Sequence, residues 1–241
     1  MIVFPKQSEA RVAAANPLQP RKSTVEEIRS RFDSDVERFS NLETGQSATI
    51  DAPLVLELIA EAAAGVSPHA RHLLDVGCGA GNYTLKLLER VSDLEVTLVD
   101  LSQPMLDRAC QRVSPKTSRP VHTIQADVRD LELPVERYDI VTAAAVLHHL
   151  RTDEEWTSVF RKLYACLRPG GSLWIADLVE HSTTTIQSIM WQRYGQYLEA
   201  LGGADDRDRV FAYIEREDTP RPLCFQLDLL RTVGFQATEV L

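Results

Sequence analysis

Five short apolar runs, at residues 72–76, 95–100, 121–127, 138–145 and 172–178, are separated by segments that include amphipathic helical patterns at 83–91, 104–113 and 153–167. Strands interleaved with helices in this way require a parallel sheet covered on both faces, because each parallel crossover passes over one face. Right-handed crossovers then make the sheet doubly wound and Rossmann-like. The punctuation agrees with this reading. Pro104 opens one helix, and Arg168-Pro169-Gly170-Gly171 closes another.

The flanks read differently. Residues 1–22 hold three prolines and read as a mobile arm. Ser23-Thr24 followed by Glu26 and Glu27 is a helix start, and Val25, Ile28, Phe32, Val36 and Phe39 recur at helical spacing. Asp51-Ala52-Pro53 opens a second helix that stops at Gly65. Residues 180–222 read as a helical insertion or lid. Residues 225–233 form a last helix capped by Gly234, and 235–241 a last strand. At 241 residues the expectation is one domain over 23–241, with cap helices at 23–66, a core at 70–180, a lid at 181–222 and a terminal helix and strand at 223–241.

Composition narrows the partners. The net charge of −9 opposes phosphate backbones, so small molecules or proteins are expected rather than nucleic acid. No apolar run approaches the roughly 20 residues of a membrane span, and the N-terminal apolar stretch is too short for a signal peptide. Cysteines 78, 110, 166 and 224 form no CxxC pair, and no Cys/His group has zinc spacing. No metal is expected, and scattered thiols fit a reducing cytoplasm.

The chemistry concentrates in Leu73-Leu74-Asp75-Val76-Gly77-Cys78-Gly79-Ala80-Gly81-Asn82, an apolar strand running through a glycine-rich turn into a helix. Glycines let a ligand approach the backbone without a Cβ in the way. Such a turn suits a dinucleotide or the amino-acid end of S-adenosylmethionine. A dinucleotide fingerprint is G-x-G-x-x-G/A, whereas here Asn82 holds the last position and Gly81 gives G-x-G-x-G. Asp100 ends the second strand, where a carboxylate can accept from both ribose hydroxyls. Asp127 closes the third and can accept from an adenine amino group, with the Val128 N–H beside it. A helix cap or a turn residue is the plain alternative for both. His148 and His149 follow the fourth strand. His148 is a candidate general base or, equally, a polar strand cap. In the lid, Arg193, Tyr194, Tyr197, Arg209 and Tyr213 are the polar candidates, and the basic ones would suit a carboxylate or phosphate acceptor.

In order and spacing, LLDVGCGAGNYT (73–84), VTLVDLS (96–102), IQADV (124–128), YDIVTAAAVLHHL (138–150) and LRPGGSLWIADL (167–178) resemble the class I S-adenosylmethionine-dependent methyltransferases. The resemblance implies a seven-stranded sheet and methyl transfer to a small-molecule acceptor by in-line displacement, with S-adenosylhomocysteine as product. Asp75 and the Gly77–Gly81 loop, including Cys78 and Gly79 and flanked by Asn82, would hold the methionine portion. Asp100 would hold the ribose, Leu101 and Met105 would flank the adenine, and Asp127 and Val128 would read its edge. Ala143 and Ala144 would line the sulfonium. Arg31-Phe32-Asp33, Val36, Phe39 and Arg209 are also similar to the carboxy-S-adenosylmethionine synthases, where an arginine binds the cofactor's added carboxylate. The family sheet ends in an antiparallel pair, and this chain reaches Leu241 after what reads as the first of the two, so the last strand is expected to be missing. A nicotinamide-dependent oxidoreductase and a non-catalytic partner subunit are the competing classes, and a homodimer is compatible with all of them.

Overall fold

The computed structural model describes residues 21–41 and 47–241. The expectation of a mobile arm at 1–22 lies outside them apart from residues 21 and 22. At its edge, the Lys22 Nζ donates to the Glu215 and Asp218 carbonyls at 2.7 and 2.5 Å, so residue 22 is anchored on the lid.

Helix α1 (Val25–Ser34) starts at a capping box in which the Thr24 side chain accepts from the Glu27 N–H and Glu27 accepts from the Thr24 N–H. The single helix expected through Phe39 breaks at Asp35 into α1 and α2 (Val36–Ser40). The Asp33-Ser34-Asp35 run explains the break, because short polar side chains compete for backbone bonds. Helix α3 (Ala52–Val66) follows. Then come β1 (His72–Val76), α4 (Asn82–Leu88), β2 (Glu95–Asp100), α5 (Gln103–Val113), β3 (Val121–Gln125), β4 (Tyr138–Ala144), α6 (Asp153–Cys166) and β5 (Leu167–Ala176). The lid supplies α7 (Thr184–Gly202) and α8 (Ala204–Glu217), and α9 (Leu223–Val233) follows it.

The main sheet has five parallel strands in the order β3-β2-β1-β4-β5. It is doubly wound as expected, with the order reversing between β1 and β4. The seven-stranded expectation is corrected: two-residue strands β6 (Val179–Glu180) and β7 (Arg221–Pro222) pair separately with each other. Residues 235–241 are not a strand. Phe235 packs edge-on against Tyr164 at 5.1 Å, and beyond it Val240 and Leu241 are exposed. Among the described residues no strand lies alongside to give that backbone a ladder.

Alternate residues along each strand supply the two faces. Leu73, Val96, Leu98 and Ile140 pack with Ala63, Leu87, Leu106 and Ala109 of α3, α4 and α5. Leu74, Val76, Val99 and Val141 pack with Trp156, Phe160 and Leu163 of α6 and Leu229 of α9. Among the described residues no helix is long and apolar enough to cross a membrane.

Phe160 is fully buried in the second layer. Phe160→Ala is expected to lower unfolding free energy by about 3–5 kcal/mol. A urea melt showing a loss below about 1 kcal/mol would contradict this assignment of the core.

Candidate functional site

Ligands of open parallel sheets bind beyond the carboxyl ends of the strands, where the order reverses. Here the ends of β1 and β4 diverge at that place, and a cavity opens between them. Its floor is the glycine turn. Gly77 has φ +66°, and a Cβ there would stand 2.7 Å from the Val146 Cβ in the turn after β4. The Cys78 N–H donates to the Val99 carbonyl at 3.0 Å, which fastens the turn to β2. The Cys78 thiol is buried, which pushes its pKa well up and keeps it protonated.

Asp100 organises the next wall. Its carboxylate accepts from the Gly79 N–H at 2.8 Å and the Ser102 N–H at 2.9 Å. Burial outweighs these bonds and pushes its pKa up to about 6. The Ser102 hydroxyl in turn donates to Asp33 of α1 at 2.6 Å, which draws the cap helix over the cavity. Leu101 and Met105 line the cavity beside Asp100, and Asp127 and Val128 line it further along. The Asp127 carboxylate is already engaged: Arg129 donates to it from its backbone N–H, Nε and a terminal nitrogen at 2.8, 2.9 and 2.6 Å. Burial alone would raise the Asp127 pKa, but the Arg129 bonds hold it below the ordinary value.

The structure brings Gly77, Cys78, Gly79, Asn82, Asp100, Leu101, Met105, Asp127, Val128 and Ala144 to one cavity. Asp75 stands behind the turn. Its two oxygens accept from the Thr84 and Thr142 hydroxyls, both at 2.7 Å, and burial raises its pKa. Ala143 is likewise not in the wall. It points into the α6 layer, because side chains alternate along β4, and Ala144 and Ala145 face the cavity instead. His148 is turned inward by the 3-10 turn Leu147–His149, where its Nδ1 is hydrogen-bonded to Asp177. Burial, the largest single influence, lowers its pKa, but the Asp177 charge and hydrogen bond together with the Asp218 charge outweigh it, and the net shift is upward. Its neighbour His149 lines the cavity.

The lid candidates lie elsewhere. The Arg209 side chain is 79% exposed and paired with Asp206. Arg193 donates to Gln196 on its own helix. Tyr194 and Tyr197 donate to the Ala48 and Ser47 carbonyls at 2.9 and 2.7 Å, fastening α7 to the loop before α3. Tyr213 accepts from Arg31, which also donates to Glu217. What sequence reasoning missed is the apolar wall made by Val25, Ile28, Phe32 and Phe39, together with Tyr83 and Arg129. The helical stripe of α1 and α2 was visible in the sequence and residues 21–50 were expected to close over the acceptor, but which of these side chains face the cavity was not legible.

Comparison with known proteins identifies the family and the fold. The family described as "Methyltransferase domain" matches residues 73–171. An uncharacterized methyltransferase of Mycobacterium tuberculosis is 33% identical over 119 residues, covering 49% of this chain and 55% of its own length. The chain therefore spans little more than half of that relative. YqeM of Bacillus subtilis, which carries the methyltransferase name, is 31% identical over 200 residues, covering 72% of this chain and 76% of its own. A carboxy-S-adenosyl-L-methionine synthase of Vibrio cholerae is 26% identical over 179 residues, covering 73% and 71%. Among solved structures, the cyclase SpnF superposes with a TM-score of 0.62 at 18% identity, covering 91% of this chain and 76% of that one, which shows a shared fold.

The Gly77 contact is directly testable. Gly77→Ala combines a positive φ with the Val146 clash and is expected to cost about 2–4 kcal/mol of stability. A thermal melt indistinguishable from wild type would show that the turn is not packed against Val146.

Proposed function

The chain belongs to the class I S-adenosylmethionine-dependent methyltransferase family, and from that premise we propose that it transfers a methyl group to a small acceptor with an apolar contact surface. The observation that carries this is the division of the cavity into a polar cofactor side and an apolar acceptor side.

On the polar side, the Gly77–Ala80 turn would receive the methionine portion and Asp100 the ribose hydroxyls. Leu101 and Met105 would pack on the adenine, and Val128 would meet its edge. Asp127 would accept from the adenine amino group only while sharing its oxygens with Arg129. Asp75 acts through the turn rather than on the cofactor. On the other side, Val25, Ile28, Phe32, Phe39, Val146 and Leu150 offer an acceptor little besides carbon. With the lid arginines outside the cavity, an anionic acceptor is the weaker reading.

In the transfer, an acceptor atom attacks the methyl carbon from the face opposite sulfur. The new bond to carbon forms as the carbon–sulfur bond breaks, and its electron pair stays on sulfur to give S-adenosylhomocysteine. The reaction already has a good leaving group, so the protein contributes mainly by holding two reactants in line. His148 faces Asp177 rather than the cavity and has no base role in this account. The similarity to the carboxylated-cofactor synthases has less support, because Arg209 stands in solvent.

Calorimetric titration with S-adenosylhomocysteine tests the reading. Binding in the micromolar range is expected, and Asp100→Ala should weaken it by about 2–3 kcal/mol through lost charged hydrogen bonds. The pH dependence has a definite sign. The carboxylate form of Asp100 accepts from ribose, so affinity should fall as pH drops below about 6, by at most about tenfold per unit. Asp100→Asn should flatten that profile. An affinity constant between pH 5 and 8, or unchanged in Asp100→Ala, would remove Asp100 from the ribose site. In the free protein the same raised pKa means the folded state holds this proton more tightly than the unfolded one. The contribution of Asp100 to stability therefore declines as pH rises from about 4, the ordinary aspartate value, to about 6.

A further inference from the structure

Behind the cavity wall, the turn after β4 and the end of α8 bring three side chains with metal-ligand chemistry together. His148 Nε2 and His149 Nδ1 each lie 3.6 Å from Asp218 Oδ1. The three ligand atoms are all within 4.8 Å of one another, and His149 Nδ1, which also lies 3.5 Å from the Glu217 carbonyl, would have to give up that long contact to hold an ion. The Asp218 side chain is 1% exposed, and neither of its oxygens accepts a hydrogen bond. A desolvated carboxylate without donors is costly, and such groups are held by a paired cation or by a metal. Apart from His148 itself, whose Nε2 faces Asp218, the nearby cations spend their N–H groups elsewhere. Arg31 donates to Glu217 and Tyr213, and Arg151 to the Thr219 hydroxyl and the Ser23 carbonyl. Lys22 donates to main-chain carbonyls, that of Asp218 among them.

We propose that His148, His149 and Asp218 form a binding site for one divalent transition-metal ion of the zinc class. The donor set decides the class. Two imidazoles and one carboxylate suit zinc, manganese or iron(II), whereas calcium and magnesium take oxygen ligands. Bonds of about 2.0–2.2 Å around a tetrahedral ion separate neighbouring donors by roughly 3.3–3.6 Å, and both distances to Asp218 already match. The outer shell is in place as well. The hydrogen bond from His148 Nδ1 to Asp177 fixes the ring and presents Nε2 to Asp218, the carboxylate–histidine arrangement that accompanies metal-bound histidines. Three protein ligands leave a fourth tetrahedral position for water or another small ligand. The ion ties the C-terminal end of α8 to the turn whose His149 lines the cavity, and so joins the lid to the sheet. The site does not depend on the methyl-transfer reading.

The test is calorimetric titration of chelator-treated full chain with zinc chloride, repeated with manganese chloride. One equivalent of zinc is expected. Asp218→Asn and His148→Gln should each weaken binding about 100-fold or more, while His122→Gln, which alters an exposed histidine beside Glu95, should leave it unchanged. Zinc should raise the melting temperature of the wild type and not of Asp218→Asn. S-adenosylhomocysteine titrated in parallel reports whether each variant keeps its fold. Absence of stoichiometric zinc or manganese binding, with the nucleoside ligand still bound, would overturn the site and leave a proton on His148 bridging Asp177 and Asp218. Zinc binding undiminished in both variants would place the ion elsewhere and overturn it equally. Failure of the nucleoside ligand alone would count against the methyl-transfer reading and not against the metal.

Discussion

The buried carboxylate of Asp75 holds the site together. It lies on β1, and its oxygens take hydroxyl donors from Thr84 of α4 and Thr142 of β4. Those three elements diverge at the point where the sheet reverses its strand order, so the bonds fix the mouth of the crevice. The cost of burying the carboxyl shows in its raised pKa, and the two hydroxyls offset part of that cost. Everything in the glycine turn depends on this frame. With β1, α4 and β4 held, Gly77 must pass close to Val146, and the Gly79 N–H reaches Asp100.

A second set of bonds brings the cap and lid to the frame. Ser102, at the start of α5, donates to Asp33 of α1, and Asn82 donates to the Phe39 carbonyl in α2. Arg31 on α1 bonds Glu217 at the end of α8, whose carboxylate is almost fully buried. Its guanidinium also lies over the Phe32 and Tyr213 rings at 4.1 and 4.5 Å. The apolar wall of the cavity is therefore built by helices that polar bonds, rather than the sheet, hold in position.

The sheet was legible in the sequence because each of its elements announces itself locally. Apolar runs, Pro104 and the glycine-rich loop all act within a few residues, and β1, β2 and β4 lie where those signals put them. By contrast, β5 starts at Leu167 and takes the 168–171 segment, read as a turn, into the strand as an irregularity against β4, and β3 stops at Gln125. Asp100 and Asp127 were legible for the same reason as the sheet, since Asp100 ends β2 and Asp127 follows β3 by two residues. The direction of a side chain was harder to read. Ala143 and Ala144 are neighbours on β4, and only the pleat decides which one meets the cavity. His148 and His149 exchanged places for a similar reason: a 3-10 turn sends the first inward. The strand expected over 235–241 had the right residues, but nothing local reveals whether a ladder awaits it. Asp218 could not be read at all, because its histidine partners lie far away in sequence and no spacing rule links them.

A crystal structure of the chain with S-adenosylhomocysteine tests the central claim most directly. The account predicts the amino-acid end against the Gly77–Ala80 turn, both ribose hydroxyls on Asp100, and adenine between Met105 and Val128. The thioether sulfur should face Ala144 and Ala145, with the space beside Phe32 left open for the acceptor. A ligand seated elsewhere, or one whose ribose turns away from Asp100, would contradict it.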